Sequence, residues 1–493
     1  MPETLTADSS AILDVLIIGA GLSGIGAACR LQQRCPNHRF AILEGRDRLG
    51  GTWDLFRYPG VRSDSDMYTL GFPFRPWAGD KSIADGPDIL RYLQDTAAEH
   101  GIGRHIRYRH SARSADWSSA DKVWTVTVQR GDEAEPILLR TRFLFLCGGY
   151  YDYAQGYTPD FPGMADFSGQ IVHPQHWPEG LAYAGKRVVI IGSGATAVTL
   201  APALAQTAAH VTVLQRSPTY MAARPTRDPV AARLRRRLPE RLAHGLVRWK
   251  NVLMGMLVFR MARRRPQRLT RLLLGGVRQA LGPGAEADVA THFTPRYKPW
   301  DQRLCLVPDG DFFNAVRERR VAMVTDQIER FTPAGIRLKS GADLGADIIV
   351  TATGLQLQAA NGLVVSLDGQ PVAGGDLVTY KGAMYRDLPN LAAAFGYTNA
   401  SWTLKADLTA NWVCRVLNHM ARTGATTCTP RADEPNMALK PWVDFSSGYF
   451  QRALATLPQQ GTRQPWLLSQ NYLTDLLALK FGRIADGVLR FER

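Results

Sequence analysis

The feature that most constrains this fold is a pair of glycine-rich loops, each lying between an apolar run and a helical pattern. The first loop follows the run "ILDVLII" and contains Gly19, Gly21 and Gly24. In such a loop the first glycine permits a tight turn, the second lets the backbone approach a pyrophosphate, and the third lets helix and strand pack closely. The N-terminus of the following helix offers free N–H groups to phosphate oxygens. The pattern therefore predicts a dinucleotide-binding unit.

An acidic residue at a suitable distance supports this interpretation. Glu44 follows Gly24 by twenty residues, at the end of the stretch "FAILEG". An acid at that point of the fold hydrogen-bonds the hydroxyls of a ribose. The alternative, a strand–turn–helix with a purely structural role, is disfavoured because the loop, the helix and the acid occur together.

The second loop lies in "KRVVIIGSGATAVTL", where Gly192, Gly194 and Ala197 occupy the three small-residue positions. Arg216 follows Ala197 by nineteen residues, where an NAD-binding unit has an acid. A guanidinium binds phosphate oxygens in pairs, so an arginine here favours the 2′-phosphate of NADPH. The alternative is a solvated surface arginine. The further residues expected to contact this nucleotide are Ser193, Ala195, Thr196, Gln215 and Ser217.

Two dinucleotide sites in one chain indicate electron transfer between them. The Glu44 unit is expected to hold FAD, and the Arg216 unit to hold NADPH, which delivers hydride to the flavin. A disulfide reductase would need a cysteine pair, and the sequence has no C-x-x-C. Oxygen is therefore the expected electron acceptor. The six scattered cysteines predict reduced thiols in a cytoplasmic protein without a metal site: Cys29, Cys35, Cys147, Cys305, Cys414 and Cys428.

A chain of 493 residues is long for one core, so more than one domain is expected. The sequence predicts an α/β protein with two Rossmann-like dinucleotide-binding domains, for FAD and NADP, and a helical insertion in the second. Alternating residues at 123–129 and near Ile137 predict a hairpin attached to the first unit. The predicted boundaries are 1–150 and 366–493 for the FAD domain, 151–225 and 291–365 for the NADP domain, and 226–290 for the insertion.

The net charge of +15 is concentrated in this insertion. The segment from Arg224 to Arg278 contains sixteen Lys or Arg residues and only two acids, which gives a local net charge of +14. The apolar run "VLMGMLVF" at 252–259 is too short to span a bilayer. One interpretation is a set of helices packed on the NADP domain with solvated arginines. The other is peripheral, salt-sensitive attachment to anionic lipid at the inner face of the cell membrane.

The remaining segments exclude other classes of protein. A polar, acid-containing leader precedes the first apolar run, and no run reaches about 18 apolar residues, so neither a signal peptide nor a spanning helix is expected. Outside the insertion the chain is near neutral, which disfavours nucleic acid as a partner. The sequence does not set the oligomeric state.

Two further stretches give the chain a family resemblance. The stretch "FSGQIVHPQHWP" contains the pattern F-x-G-x-x-x-H-x-x-x-W-P and resembles the fingerprint of Baeyer–Villiger monooxygenases. The stretch "GGTWDLFRYPGVRSDSDMY" is similar to their second pattern, and "DIIVTATG" to their returning strand and glycine turn. The chain is most similar to the ethionamide-activating branch. The matching residues are Phe167, Gly169, His173, Trp177 and Pro178, then Gly51, Trp53, Tyr58, Pro59, Gly60 and Asp64.

This resemblance implies an FAD- and NADPH-dependent enzyme that inserts one atom of O2 into a ketone to give an ester or lactone. In that family a flavin peroxide attacks the carbonyl, and the adduct rearranges. A deprotonated peroxide and an oxyanion both need a fixed positive charge in a site closed to water. The resemblance assigns that charge to Arg303 and its orientation to Asp64. The alternative for Arg303 is a structural arginine beside Asp301.

The resemblance also implies further contacts. Many relatives have a lysine before the active-site arginine, whereas this chain has Gln302, so Arg216 binds the 2′-phosphate alone or together with Arg296 or Lys298. His173 is expected to couple domain motion to turnover rather than to act as a base. The residues expected to contact FAD are Gly19, Gly21, Ser23, Gly24, Glu44, Thr52, Trp53, Asp54, Asp64 and, through its backbone, Ala112.

Three functions remain open. The first is ketone oxygenation, with sulfoxidation of thioethers alongside it. The second is that of a flavin-containing monooxygenase acting mainly on sulfur or nitrogen. The third is an uncoupled NADPH oxidase or a flavin-bound binding protein. Trp402 and Lys405, in "GYTNASWTLKADL", are expected near the nicotinamide or the substrate, and a packed tryptophan is the alternative. The sequence does not identify the small-molecule substrate.

Overall fold

The structure is a computed structural model that describes residues 12–432, 437–443 and 445–493. The predicted polar leader, residues 1–11, lies outside the described residues. The strands, in chain order, are β1 (Leu13–Ile18), β2 (Phe40–Leu43), β3 (Ile106–Arg107), β4 (His110–Ser118), β5 (Val123–Arg130), β6 (Ile137–Leu146), β7 (Tyr151–Gly156), β8 (Gln170–Val172), β9 (Arg187–Ile191), β10 (His210–Gln215), β11 (Met221–Arg224), β12 (Cys305–Pro308), β13 (Val321–Thr325), β14 (Ile328–Thr332), β15 (Gly335–Leu338), β16 (Asp343–Gly345), β17 (Ile348–Thr351), β18 (Leu355–Leu357), β19 (Val364–Leu367), β20 (Gln370–Val372), β21 (Thr379–Tyr380), β22 (Met384–Tyr385), β23 (Leu391–Ala393), β24 (Thr427–Pro430), β25 (Leu439–Pro441), β26 (Gln459–Gly461) and β27 (Leu489–Glu492).

The helices fall into three groups along the chain, before, within and after the basic insertion. In chain order they are α1 (Leu22–Arg34), α2 (Thr52–Leu55), α3 (Met67–Leu70), α4 (Gly86–Glu99), α5 (Ala195–Leu204), α6 (Pro229–Arg235), α7 (Glu240–Arg264), α8 (Pro266–Leu281), α9 (Glu286–His292), α10 (Asp311–Arg317), α11 (Trp402–Thr423), α12 (Gly448–Ala453) and α13 (Tyr472–Leu476). Short 3-10 turns occupy Ile102–His105, Met164–Asp166, Pro174–His176, Ala359–Gly362 and Gly374–Asp376, and a π-helical turn follows α13 at Leu477–Phe481.

The first sheet runs in the order β20-β19-β4-β5-β6-β1-β2-β3, with β23 pairing beside β6. Strands β2, β1, β6 and β23 are parallel, and β5 and β6 form the predicted antiparallel hairpin. Strand β1 is buried on both faces. Val15 and Ile17 pack in one core with helix α1, whereas Leu16 and Ile18 pack in another. An apolar run without alternation is therefore what a central parallel strand requires.

The second sheet has the order β13-β10-β9-β17-β8, and its pairings are parallel. It also has a core on each face: Val188 and Ile190 pack on one side, Val189 and Ile191 on the other. The predicted fold class is therefore confirmed. The first sheet takes strands from both ends of the chain, and on this topology we propose the domain boundaries predicted above.

The predicted insertion consists of helices α6 to α9, and it docks on both sheets' domains. Helix α8 contributes Leu274 and Val277 to the core of the second sheet. Helix α7 reaches the other side, where the Arg248 guanidinium donates to the backbone oxygens of Tyr68 at 2.7 Å and Gly71 at 2.9 Å. These carbonyls lie at the C-terminal end of α3, which has no intrahelical partners for them. The insertion thus packs on the NADP domain, as one interpretation had it, but Arg248 is buried against the other domain rather than solvated.

Two findings concern membrane-spanning helices and metal sites, neither of which was expected from the sequence. Within the part of the chain that the structure describes, no helix is both long and apolar enough to cross a membrane. Among these same residues, no three His, Cys, Asp or Glu side chains are grouped to hold a metal ion. The six cysteines are buried and form no disulfide, and burial raises the pKa of Cys29 and Cys305 to about 12.

Candidate active site

The first glycine loop has the close contacts that its sequence predicts. Gly19 has φ +100°, and a Cβ there would lie 2.8 Å from the Cα of Gly148. A Cβ on Gly24 would lie 1.9 Å from the carbonyl oxygen of Gly19, so this position holds helix α1 against the loop. Gly21 and Gly51 approach so closely that a Cβ on Gly51 would lie 3.1 Å from the Cα of Gly21. The loops form a cradle of bare backbone at the N-terminus of α1.

Glu44 follows strand β2 and lies beside this cradle. Its Oε2 accepts a hydrogen bond from the N–H of Ala20 at 2.9 Å, and its Oε1 accepts one from the N–H of Arg46 at 3.0 Å. Burial raises the pKa of the Glu44 carboxyl, and the two backbone donors oppose that rise. The carboxylate is thus held at the cavity wall as an acceptor, as a ribose hydroxyl requires.

A cavity of about 730 Å³ extends from Glu44 and the glycine cradle to Arg303. Most of the predicted FAD contacts line it. The predicted residues among its lining are Gly19, Gly21, Ser23, Glu44, Thr52, Trp53, Asp64, Ala112 and Arg303. Gly24 packs behind the loop instead, as described above.

Asp54 does not line the cavity, contrary to the sequence-based expectation. It is 2% exposed and lies among three arginines, with Oδ2 2.6 Å from Arg46, and Oδ1 3.4 Å from Arg57 and 3.5 Å from Arg48. A buried carboxylate with these partners fixes the turn that contains the second motif. These ion pairs hold the loop in shape, and the contact of Asp54 with FAD stays a prediction.

Arg303 lines the cavity together with Arg46 and Arg113, and its guanidinium has partners on two of its nitrogens. Its Nη1 donates to Oδ2 of Asp64 at 2.9 Å, and its Nη2 donates to the hydroxyl of Tyr150 at 3.3 Å. The hydroxyl of Tyr151 lies 3.2 Å from that of Tyr150. Burial raises the pKa of Tyr150, and raises that of Tyr151 to about 12, so both phenols are neutral near pH 7. The guanidinium therefore faces one carboxylate and uncharged hydroxyl groups.

Trp402 lies in the same cavity, on the first turn of α11. Its indole Nε1 donates to the Ser23 hydroxyl at 2.8 Å, and its ring stacks on Tyr150 with centroids 5.4 Å apart. Lys405, expected nearby, is buried elsewhere: its Nζ lies 3.1 Å from Oδ2 of Asp475. Burial lowers the pKa of Lys405, and the Asp475 carboxylate opposes this. Lys405 is thus paired with Asp475 and does not line the cavity, and its expected contact with the nicotinamide or the substrate stays a prediction.

The second glycine loop repeats the first geometry at the end of β9. Gly192 has φ +132°, and a Cβ there would lie 2.3 Å from the carbonyl oxygen of Ala352. Helix α5 begins after Gly194, so Ala195 and Thr196 lie in its first turn and Ala197 is buried against the sheet. The Ser193 hydroxyl donates to the carbonyl oxygen of Ser217 at 2.9 Å. This bond places the end of β10, with the exposed Arg216 and Ser217, beside the loop.

Gln215 is the exception in this group. Its side chain is 1% exposed, and its amide donates to the carbonyl oxygen of His292 and to the hydroxyl of Thr325, both at 2.8 Å. Its side chain fixes the end of α9 to β13. The side-chain amide of Gln215 thus has two partners within the protein, and its contact with the nucleotide stays a prediction.

A tyrosine links the segment that contains Arg296 and Lys298 to the residues that follow Arg216. The Tyr297 hydroxyl lies 3.0 Å from that of Thr219, three residues beyond Arg216. Arg296 and Lys298 flank this tyrosine and are exposed. The support of Arg216 by Arg296 or Lys298 stays a prediction.

The fingerprint histidine lies outside the cavity. His173 Nε2 donates to the carbonyl oxygen of Gly354 at 3.1 Å, and its Nδ1 accepts from the N–H of Gln175 at 3.2 Å. Burial lowers the pKa of His173. A Cβ on Gly156 would lie 1.9 Å from its ring, so the ring fills the space beside the end of β7, which pairs with β18. These contacts support a coupling role between the two units rather than base chemistry.

Several residues of the site were missed by the sequence reasoning. Tyr150 and Tyr151 follow β6, and Tyr153 shares a hydrogen bond of 3.2 Å with Thr52. Tyr449, from the C-terminal part, hydrogen-bonds Arg303. Strand β6 is parallel to β1, so its carboxyl end meets the glycine loop, and the stretch "GGYYDY" could have been found from that position.

Comparison with known proteins agrees with this geometry. Residues 80–255 match the family described as flavin-binding monooxygenase-like, and residues 17–78 match an NAD(P)-binding Rossmann-like domain. A mixed sheet and a parallel sheet, each with a glycine loop, and an arginine-containing cavity beside the first loop agree with a flavin-dependent oxidoreductase of the monooxygenase class.

The chain belongs to the family of FAD-containing monooxygenases. It is 54% identical over 482 residues to the FAD-containing monooxygenase EthA of Mycobacterium tuberculosis, covering 98% of each chain. It is 48% identical to the putative FAD-containing monooxygenase MymA of that organism, over 97% of each chain. It is 47% identical to the probable FAD-binding monooxygenase AlmA of an Acinetobacter species, over 98% of this chain and 96% of that one.

Solved structures share the fold at lower identity. An oxidised steroid monooxygenase bound to NADP superposes with a TM-score of 0.77 at 20% identity, over 98% of this chain and all of that one. A cyclohexanone monooxygenase bound to ε-caprolactone gives a TM-score of 0.75 at 20% identity over the same shares. These likenesses confirm the two-unit architecture.

Proposed function

We propose that the protein is an FAD- and NADPH-dependent monooxygenase that inserts one atom of O2 into ketones to give esters or lactones. The observation that supports this most directly is the Arg303–Asp64 pair in the cavity that contains the glycine cradle. Members of the family to which the chain belongs are named FAD-containing, and fold neighbours are described with NADP and a lactone bound.

FAD fits the first site on the backbone geometry of the cradle. The N–H groups at the start of α1 and the side-chain-free loop at Gly19, Gly21 and Gly51 suit a pyrophosphate, and Glu44 suits the ribose. The flavin, when bound, supplies the activation of O2. Gly24 and Asp54 support the loops from behind.

NADPH fits the second site on charge. Gly192 and Gly194 leave the N-terminus of α5 open to a pyrophosphate, and the exposed guanidinium of Arg216 suits the 2′-phosphate. We assign support of that charge to Arg296 and Lys298, since this chain has Gln302 where many relatives have lysine. Ser193, Ala195, Thr196, Ala197 and Ser217 shape the loop.

The residues of the chain then act on the substrate. The Arg303 guanidinium stabilises the negative oxygen that develops from the ketone carbonyl, and Asp64 limits its motion. The Tyr150 hydroxyl accepts from Arg303, and its proton is directed to Tyr151 or to a bound reactant. Trp402 stacks on Tyr150 and excludes water from the reacting atoms.

The direct experiment compares three conditions with the purified holoenzyme. NADPH consumption, product formation and hydrogen peroxide are measured with cyclohexanone or 2-octanone, with methyl phenyl sulfide, and without substrate. Ketone oxygenation predicts ester or lactone in step with NADPH and little hydrogen peroxide. NADPH consumption that yields only hydrogen peroxide in every condition would identify an uncoupled oxidase and contradict the proposal.

Oxygenation of thioethers at the same site is the second candidate. Transfer of oxygen to sulfur leaves a second oxygen atom that must receive a proton. The hydroxyls of Tyr150 and Tyr151 beside Arg303 remain protonated near pH 7, because burial raises their pKa values, so each carries a proton at the site. A sulfoxide without any ester in the same experiment would favour a heteroatom monooxygenase over the first proposal.

A further inference from the structure

The outer face of helix α7 carries a stripe of apolar side chains that are largely exposed to solvent. Its five members follow one another at intervals of four, three, four and four residues, so they lie on one face of the helix. Their exposure ranges from 42% for Trp249 to 61% for Leu257. The stripe is roughly 22 Å long at the rise of an α-helix. It consists of Leu242, Leu246, Trp249, Leu253 and Leu257.

A neighbouring segment extends this surface. The ring of Tyr472, at the start of α13, meets the edge of Trp249 with centroids 5.8 Å apart. One and two turns later along the same segment, Leu477 and Phe481 are 63% and 65% exposed. Contiguous apolar surface of this kind marks an interaction site, whereas single exposed apolar residues do not.

Basic side chains border the stripe. Arg241, Arg260 and Arg264 of α7 are exposed, as are Arg268 and Arg271 of α8. The structure records no acidic partner for these five among the residues it describes. Helices α7 and α8 together contain one acid, at the first residue of α7. The surface therefore combines an apolar centre with uncompensated positive charge.

We propose that this surface, the docking stripe, binds an anionic lipid bilayer, with α7 lying in the headgroup region. Amphipathic helices with arginines beside leucine and tryptophan bind such interfaces through both the apolar and the charged groups. A second copy of the chain would bring two basic borders together, and like charges oppose that contact. Nucleic acid would satisfy the arginines but would leave the leucines exposed to water.

The inner side of α7 contacts the wall of the cavity. Val252 packs with Tyr397, and the ring of Phe259 meets that of Trp300 with centroids 6.1 Å apart. Tyr397 and Trp300 both line the cavity. The docking stripe is thus about one helix diameter, roughly 10 Å, from the site. Collection of apolar substrates from lipid would follow, and only this consequence rests on the proposed function.

The test is sedimentation of the holoenzyme with phosphatidylglycerol vesicles and with phosphatidylcholine vesicles, at low and at 0.5 M salt. Binding to the anionic vesicles at low salt, strongly reduced by salt, is expected. The variant Leu246→Gln with Leu253→Gln weakens that binding about tenfold. Its matched control, Leu138→Gln with Leu439→Gln, replaces exposed leucines on other elements and binds like the wild type.

A second pair of variants tests the charge. Arg260→Gln with Arg264→Gln weakens binding about fivefold for each arginine removed. Arg319→Gln with Arg463→Gln removes the same charge elsewhere and has no such effect. Unchanged flavin content and melting temperature show that each variant is folded. Equal sedimentation with both lipids, or none with either, would overturn the proposal, as would a dimer in solution that the leucine pair disperses.

Discussion

Arg303 and Asp64 are joined by an ion pair in which Nη1 of the arginine lies 2.9 Å from Oδ2 of the aspartate, although they are 239 residues apart in the chain. The Tyr150 hydroxyl accepts from the second guanidinium nitrogen at 3.3 Å. Two partners at different nitrogens restrict both the position and the plane of the guanidinium. A charge held in this way is oriented before the substrate arrives, which is what stabilisation of a developing oxyanion requires.

Replacing Arg303 by alanine removes this charge and leaves the nucleotide loops intact. We expect normal flavin content and normal flavin reduction by NADPH, with oxygenated product formed roughly 10² to 10³ times more slowly. Stopped-flow absorbance of the flavin and product analysis separate the two steps. Arg337→Ala, which breaks an exposed ion pair with Asp343, is the control. Product formation at the wild-type rate in Arg303→Ala would show that the Arg303 charge does not assist oxygenation.

Arg216→Ala tests how the second site selects its nucleotide. The loss of charge-assisted hydrogen bonds to a phosphate costs about 1.5–3 kcal/mol, so KM for NADPH should rise about 10- to 100-fold while KM for NADH stays nearly constant. Arg296→Ala and Lys298→Ala, measured separately, report how far each supports Arg216. Equal changes for NADPH and NADH would mean that Arg216 does not contact the 2′-phosphate.

Gly24→Ala tests the close packing of the first loop. The added methyl group would lie 1.9 Å from the Gly19 carbonyl oxygen, so the loop must shift, at a cost of about 1–3 kcal/mol. We expect a lower melting temperature and loss of flavin during purification. Gly103→Ala is the matched control, because a Cβ there meets nothing within 4 Å. Equal flavin retention in both variants would contradict this account of the cradle.

His244 makes stability depend on pH. Burial lowers its pKa from about 6.5 to about 4, and the charges of Arg248 and Arg235 add to this. Because the folded pKa is depressed, the unfolded chain takes up the proton first as the pH falls. The contribution of His244 is therefore complete above pH 6.5 and is lost towards pH 4, by at most about 3 kcal/mol.

Melting temperatures between pH 7.5 and pH 4.5 check this linkage. The wild type should lose more stability over this range than His244→Gln, which has no imidazole to protonate. His38→Gln removes a histidine from another part of the structure and should fall as steeply as the wild type. A pH dependence that is the same in His244→Gln and in the wild type would exclude the assignment.

The local parts of the fold were predictable from the sequence. A strand, three glycines and a helix are consecutive in the chain, so the pattern at Gly19 to Gly24 specifies its own geometry. The same holds for Gly192 and Gly194, and the distance to Glu44 or Arg216 is fixed by one helix and one strand. The family fingerprint added Arg303 and Asp64, which no spacing argument connects.

The side-chain partners that the sequence did not predict depend on contacts between distant residues. Gln215 ends a strand in the position of a nucleotide-binding residue, but His292 and Thr325, 77 and 110 residues further on, occupy its side chain. Lys405 is neutralised by Asp475, which the sequence places 70 residues away. Such pairings are decided by how the elements pack in three dimensions. A single sequence, read alone, does not show which distant residues come together.

Oxygen-18 labelling tests the central claim most directly. The holoenzyme is supplied with NADPH, cyclohexanone and ¹⁸O2 in unlabelled water, and the product is analysed by mass spectrometry. The proposed reaction predicts a lactone that contains one ¹⁸O atom, with the second oxygen unlabelled because it comes from the ketone. NADPH consumed with the label found only in hydrogen peroxide or water, or a product without ¹⁸O, would contradict the assignment of this cavity to ketone oxygenation.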